Sequence, residues 1–180
     1  VLFRSKDGLT AFVSPEGRIL IPPSHYTVGS IDIEDACLVL KSGYSGKCGL
    51  FDLSDGNQLI DFRYDDITLL GFNRALGKDG SRRYLLNAST GDIIASLPPN
   101  IGAAHFNETP VTWIFRSKSY YGIIDEEGNI LYEDTKDPLT GVTKFRHGFS
   151  GGQKDNKKWG ILKSDGTWLV HPTYDYIKLL

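Results

Sequence analysis

The chain writes one pattern five times: a small residue, apolar residues, a short polar stretch ending in glycine, then another apolar run. The fullest copy is Trp159-Gly160-Ile161-Leu162-Lys163-Ser164-Asp165-Gly166-Thr167-Trp168-Leu169-Val170. The turn glycines are Gly17, Gly56, Gly91, Gly128 and Gly166, separated by 39, 35, 37 and 38 residues. A unit of that size cannot bury its apolar surface alone, so the copies must stack or close on one another. One domain over 1–180 is therefore expected, in five tandem units at about 1–33, 34–70, 71–106, 107–145 and 146–180.

The segment before each turn reads Thr10-Ala11-Phe12-Val13, Cys48-Gly49-Leu50-Phe51, Arg83-Tyr84-Leu85-Leu86, Tyr121-Gly122-Ile123-Ile124 and Trp159-Gly160-Ile161-Leu162. A glycine inside a strand packs nothing, so its recurrence at the second slot implies that another backbone or a large ring comes close there. Tyr84 breaks the rule, which makes unit three the expected distorted one. All five turns end in glycine and most place an acid before it, a strong hairpin signal. The strands after the turns, such as Ile19-Leu20-Ile21 and Trp168-Leu169-Val170, run apolar without alternation, which predicts cover on both faces. Prolines at Pro22-Pro23, Pro98-Pro99 and Pro172 are expected to close these strands. A further strand precedes the small-residue slot, as in Val1-Leu2-Phe3-Arg4 and Val111-Thr112-Trp113-Ile114-Phe115. Each unit thus holds three to four antiparallel strands and no helical period appears: the fold class is all-β.

The stretch Lys158-Trp159-Gly160-Ile161-Leu162-Lys163-Ser164-Asp165-Gly166, followed by Val170-His171-Pro172-Thr173-Tyr174-Asp175-Tyr176-Ile177, resembles the WG-containing repeat. That family's pattern is a Trp/Tyr-Gly pair, an apolar pair, a turn with glycine, an apolar strand ending near proline, then Tyr-Asp and an isoleucine. Unit four keeps Tyr121-Gly122-Ile123-Ile124-Asp125, and unit two keeps Gly49, Asp52 and Tyr64-Asp65-Asp66-Ile67. Units one and three lack the aromatic-glycine pair. The resemblance implies a bacterial binding module, often attached to other domains, with no catalytic residue to carry over.

Five antiparallel units fit a small propeller-like ring or an open curved stack. The chain ends at Ile177-Lys178-Leu179-Leu180 and begins inside the next expected strand, Val1-Leu2-Phe3, which favours a ring closed by its termini. A chain that starts at Val1 and holds no methionine also reads as a piece of a larger polypeptide, and its compartment is unknown. The two cysteines, Cys37 and Cys48, flank Ser42-Gly43; a two-residue loop there would set 37 opposite 48, where a disulfide is geometrically possible. Because Cys48 fills the slot of Trp159 and Tyr121, a small buried thiol is the preferred reading.

Twenty basic and twenty-two acidic residues, with no block of like charge, leave no electrostatic footprint for nucleic acid. No apolar run approaches the roughly 20 residues of a membrane span, so no membrane insertion is expected. His25, His105, His147 and His171 fall at different repeat slots without metal-ligand spacing. Asp65-Asp66 and Glu126-Glu127 belong to the Tyr-Asp element and a turn, and Ser150-Gly151-Gly152 lacks the flanks of a nucleophile elbow or phosphate loop. The expectation is no enzyme, no cofactor and no metal, but a protein or peptide partner. A glycan or small ligand at a cell surface is the alternative, and it requires equivalent pockets in several units. The candidate contact residues are aromatics that break the repeat: Trp113, Tyr120, Phe149 and Tyr176.

Overall fold

A computed structural model describes residues 1–33, 36–106, 109–116 and 119–180. The expected unit boundaries at 34 and 107 lie outside the described residues. The chain is all-β, as expected, and its strands form five antiparallel sheets in chain order. The first sheet is β1 (Leu2–Arg4), β2 (Thr10–Val13) and β3 (Ile19–Ser24), and the second is β4 (Tyr26–Asp32), β5 (Cys37–Ser42), β6 (Cys48–Asp52) and β7 (Gln58–Tyr64). The third is β8 (Asp66–Gly71), β9 (Arg74–Asp79), β10 (Arg82–Asn87) and β11 (Ile93–Leu97). The fourth is β12 (Gly102–Ala103), β13 (Val111–Arg116), β14 (Ser119–Asp125) and β15 (Ile130–Glu133), and the fifth is β16 (Gly141–Val142), β17 (Phe149–Gln153), β18 (Trp159–Lys163) and β19 (Trp168–Tyr174). Two compact units divide the chain, Val1–Leu69 with Asn73–Ile93, and Leu70–Phe72 with Ile94–Leu180. Among the described residues no helix is long and apolar enough to cross a membrane.

The close approach expected at the small-residue slot is present. A Cβ on Gly49 would stand 2.8 Å from the Ile60 carbonyl oxygen, and one on Gly122 equally close to that of Tyr132. On Gly160 it would run into the Val170 carbonyl and the Trp168 ring. In the second and fifth sheets the cause is a bulge, since the last strand shifts register across this slot and leans its carbonyl over the glycine. In the third sheet the sizes are exchanged across the pair. Tyr84 stands opposite Gly77 and its ring lies beside Tyr64, with centroids 6.0 Å apart. The distortion expected there is therefore absent from β9 and β10, which pair without a shift.

The turns do two jobs. In the fifth sheet the Asp165 carboxylate accepts the Thr167 N–H at 2.8 Å and the Thr167 hydroxyl at 2.7 Å, and Gly166 takes φ 81°. The turn tips also seat on the preceding sheet: a Cβ on Gly56 would strike the Leu20 carbonyl, and one on Gly166 the Tyr132 ring. Within each compact unit the cores accordingly lie between consecutive sheets. Phe12, Ile21, Leu38, Leu40 and Phe51 join the first and second, while Trp113, Ile123, Leu139, Phe145 and Leu162 join the fourth and fifth.

Three expectations are corrected. The strands after the turns are edge strands whose leading apolar residues face solvent, with Ile19 59% and Leu169 53% exposed. Cover on both faces belongs instead to the middle strands, such as β5, β6 and β13. Pro22-Pro23 and Pro172 lie inside β3 and β19 rather than ending them, because an edge strand at its bulge leaves no ladder bond for proline to break. Pro98-Pro99 does follow the end of β11. The hairpin after β5 is longer than two residues, with Ser42 N–H bonded to the Lys47 carbonyl at 2.8 Å, so Lys41 stands opposite Cys48 and Cys37 opposite Asp52. Both cysteines are buried and in no disulfide, and Cys37 Sγ donates to the Ala88 carbonyl at 3.3 Å.

Candidate functional site

A recess with room for a ligand belongs to the fourth and fifth sheets and starts from β13. Side chains on a strand alternate faces, so Trp113 and Phe115 share one. Trp113 is 2% exposed and stacks on Phe145, with centroids 5.3 Å apart and planes 25° from parallel. Its Nε1–H donates to Ser150 Oγ at 3.1 Å and to the Thr143 carbonyl at 3.3 Å, tying the segment before β17 to β13. Ser150 is buried and donates in turn to the Thr143 carbonyl at 2.6 Å, while Thr143 Oγ1 accepts the Gly151 N–H at 2.7 Å. Thr112 Oγ1 lies 2.9 Å from the Ala104 carbonyl. The polar groups of the floor are thus spent on the protein itself.

Above this floor Phe115 and Tyr120 meet at 5.6 Å between centroids, tilted by 57°. Tyr120 is pinned through its backbone, which exchanges both hydrogen bonds with Leu139 at 2.9 and 2.8 Å. With Phe106, His105 and Lys144 these rings line a cavity of about 600 Å³. That volume lies within the range of small-molecule sites and suits an inserted side chain. Apolar walls with a cation and an imidazole among the lining groups favour an apolar group carried next to an acceptor or negative charge.

Of the four aromatics chosen from sequence, Trp113 and Tyr120 line this cavity together. Phe149 sits half-buried on β17 outside the lining, and Tyr176 is 75% exposed in the segment after β19. Phe115, Phe145 and Lys144 were not singled out from sequence. The period of two along β13 pairs Phe115 with Trp113 and was the available signal. Phe145 arrives from a separate strand connection and had none.

A second, more open cavity of about 550 Å³ is lined by residues that include Asp134, Asp137, Lys154, Trp168 and His171. Lys154 pairs with Asp137 at 2.7 Å, and the His171 and Trp168 rings stack 6.3 Å apart. Backbone N–H groups of Asp137 and Lys136 hold the Asp134 carboxyl below its usual range. Burial, reinforced by Asp134, pushes the neighbouring Tyr132 hydroxyl up to about 12. Among the described residues no group of three His, Cys, Asp or Glu side chains is placed to hold a metal ion.

Comparison with solved structures finds the computationally designed Ika8 protein, 12% identical over 96% of this chain and 62% of that one, with a TM-score of 0.48. BamB from Moraxella catarrhalis is 16% identical over 92% of this chain and 53% of its own, with a TM-score of 0.44. The WD40 β-propeller domain of Doa1 is 10% identical over 93% and 62%, also with a TM-score of 0.44. The chain therefore spans between 53% and 62% of these three proteins. Among curated proteins none matches the sequence. The family model described as WG containing repeat matches residues 159–179, which carry β18, its turn, β19 and most of the segment that follows. This last copy of the five-fold pattern is thus similar to the WG-containing repeat.

Proposed function

We propose that this β-repeat module is a non-enzymatic interaction module, part of a larger bacterial protein, that receives an apolar side chain of a protein or peptide partner between Phe115, Tyr120 and the Trp113–Phe145 stack. The observation that carries the reading is an aromatic-walled cavity of about 600 Å³ whose floor polar groups are already bonded within the protein. Such a site has binding surface to offer and little reactive equipment, and clustered aromatics are what anchor partners at interfaces. A displayed random-peptide library selected on the purified protein tests it. Enriched peptides should share a large apolar residue with an acid nearby, and Tyr120→Ala should weaken them about tenfold, or about 1.4 kcal/mol. Peptides indifferent to both Tyr120→Ala and Phe115→Ala would overturn the assignment.

The stacked Trp168–His171 face amid carboxylates favours a second reading, recognition of a glycan or other small polar ligand. A glycan array that lights up with the wild type and goes dark with the exposed His171→Ala, while Tyr120→Ala leaves it unchanged, would replace the first reading by this one.

A further inference from the structure

Among the described residues each sheet ends in a strand with one unpaired edge, and such an edge accepts a further strand unless its sequence closes it. β3 and β19 are closed by Pro22-Pro23 and Pro172. β7 carries exposed charges of both signs, Asp61 and Arg63, and β11 exposes a single large apolar residue, Ile93. β15 differs from all four. It holds no proline and no lysine, and its consecutive Ile130 and Leu131 are 43% and 41% exposed.

The backbone of β15 presents a usable ladder. Asp134 N–H bonds the Tyr121 carbonyl at 2.6 Å, and Glu133 stands opposite Gly122. Alternation along an antiparallel pair therefore turns the N–H and C=O of Glu133 away from β14. Among the described residues β14 is the one ladder partner of β15. Counted from the turn glycines Gly128 and Gly17, Glu133 holds the place of Pro22 in β3.

The edge supplies the ladder, and charge selects what fills it. Residues 125–137 hold Asp125, Glu126, Glu127, Glu133, Asp134 and Asp137 against Lys136 alone. Two cations of neighbouring elements are already engaged. Lys154 pairs with Asp137 at 2.7 Å, and Arg116 donates to the Pro99 carbonyl at 3.1 Å and lies over the Tyr121 ring. Glu127 and Glu133 are exposed and bracket Ile130 and Leu131. A second copy of this edge is the wrong occupant, because antiparallel self-pairing centred on Ile130 sets Glu127 opposite Glu133 at both ends. A strand with cations at its ends and apolar residues between meets the same two carboxylates as counter-charges.

We propose that the free edge of β15 docks an extended basic segment of a partner protein, which adds to the fourth sheet as a further strand. The segment sets β-branched or other apolar residues beside Ile130 and Leu131, and a Lys or Arg beside Glu127 or Glu133. No residue of β15 lines the aromatic cavity, so this surface stands or falls apart from the side-chain site.

A displayed library of lysine-flanked random peptides, selected on the purified protein, tests the proposal. Enriched peptides should carry β-branched or aromatic residues between the lysines. They should bind Tyr120→Ala as tightly as wild type, which separates them from ligands of the cavity. Glu133→Pro removes the outward N–H and copies what β3 already holds, so it should weaken them about tenfold or more with an unchanged circular dichroism spectrum. Glu133→Gln keeps that N–H and should weaken them less, chiefly at low salt. In the wild type, bound peptide should slow hydrogen exchange at Glu133 N–H. An empty selection, peptides that bind Glu133→Pro as tightly as wild type, or unchanged exchange at Glu133 N–H would each overturn the proposal. So would a wild-type dimer that Glu133→Pro dissolves, since a second copy would then fill the edge.

Discussion

At the scale of single residues, the glycines of the small-residue slot and of the turns are required for different reasons. Gly49 has the Ile60 carbonyl 2.8 Å from where its Cβ would be, and that carbonyl belongs to a bulged strand with little room to retreat. Gly49→Ala should cost about 1–3 kcal/mol by overpacking, read as a lower urea midpoint with an unchanged slope. Gly8→Ala is the control: it meets open space, so only the positive φ of 78° is penalised and the loss should be the smaller one. Asp65 makes a charge argument with a definite sign. The Lys47 ammonium, and then the Gly80 N–H, hold its carboxyl pKa below the unfolded value. Its contribution to stability is thus present above the unfolded pKa and disappears as pH falls through the depressed folded one. Asp65→Asn should unfold at lower urea than the wild type at neutral pH, and the two midpoints should converge at acid pH once the wild-type carboxyl is protonated. Midpoints that stay equally far apart at all pH values would remove the ion pair as the cause.

At the scale of elements, Trp113 shows how a side chain can be both core and site wall. Its indole donates to Ser150 and Thr143, which brings the segment before β17 against β13 and so sets the floor of the cavity. Trp113→Phe keeps the stack on Phe145 but leaves Ser150 Oγ without that donor. A loss of about 1–2 kcal/mol is expected, with faster hydrogen exchange at Gly151 N–H; exchange unchanged there would show that the indole bond does not hold the segment. The strands themselves were legible wherever an apolar run met an Asp-Gly or Glu-Gly turn, because turn chemistry is local. What failed to read was which strand lies at an edge. Ile19 and Leu169 look like core residues, yet their strands end the sheet, and only the long-range order of strands decides that. The Cys37 and Cys48 offset failed for a related reason: Ser42-Gly43 resembles a two-residue turn, but the chain runs on to Lys47 before it pairs again. Tyr84 failed because its compensating glycine, Gly77, lies on the neighbouring strand rather than within the repeat's own slot.

For the whole molecule, the five-fold period foretold that no unit closes its own core, and the clusters shared by the first and second sheets and by the fourth and fifth agree with it. Half of the candidate site was legible on the same logic. Trp113 and Tyr120 stand out as departures from the repeat, whereas Phe145 and Lys144 reach the cavity on a connection whose path no local pattern encodes. Phe149 and Tyr176 depart from the repeat equally and line no part of it, so divergence alone does not locate a site. The shared core between the fourth and fifth sheets also makes a prediction for a shortened chain. In residues 1–140 the ring of Phe145, Leu162 and the Ser150 acceptor are gone, and Trp113 is the sole tryptophan. Its cover came from the next repeat, so nearest-neighbour stabilisation is lost on that side. The emission of this fragment should shift to the red, towards that of a hydrated indole. The full-length Trp159→Phe/Trp168→Phe variant, in which Trp113 again reports alone, should emit further to the blue. Equal emission maxima would mean that the fourth sheet covers Trp113 by itself and that these repeats do not depend on their neighbours for a core.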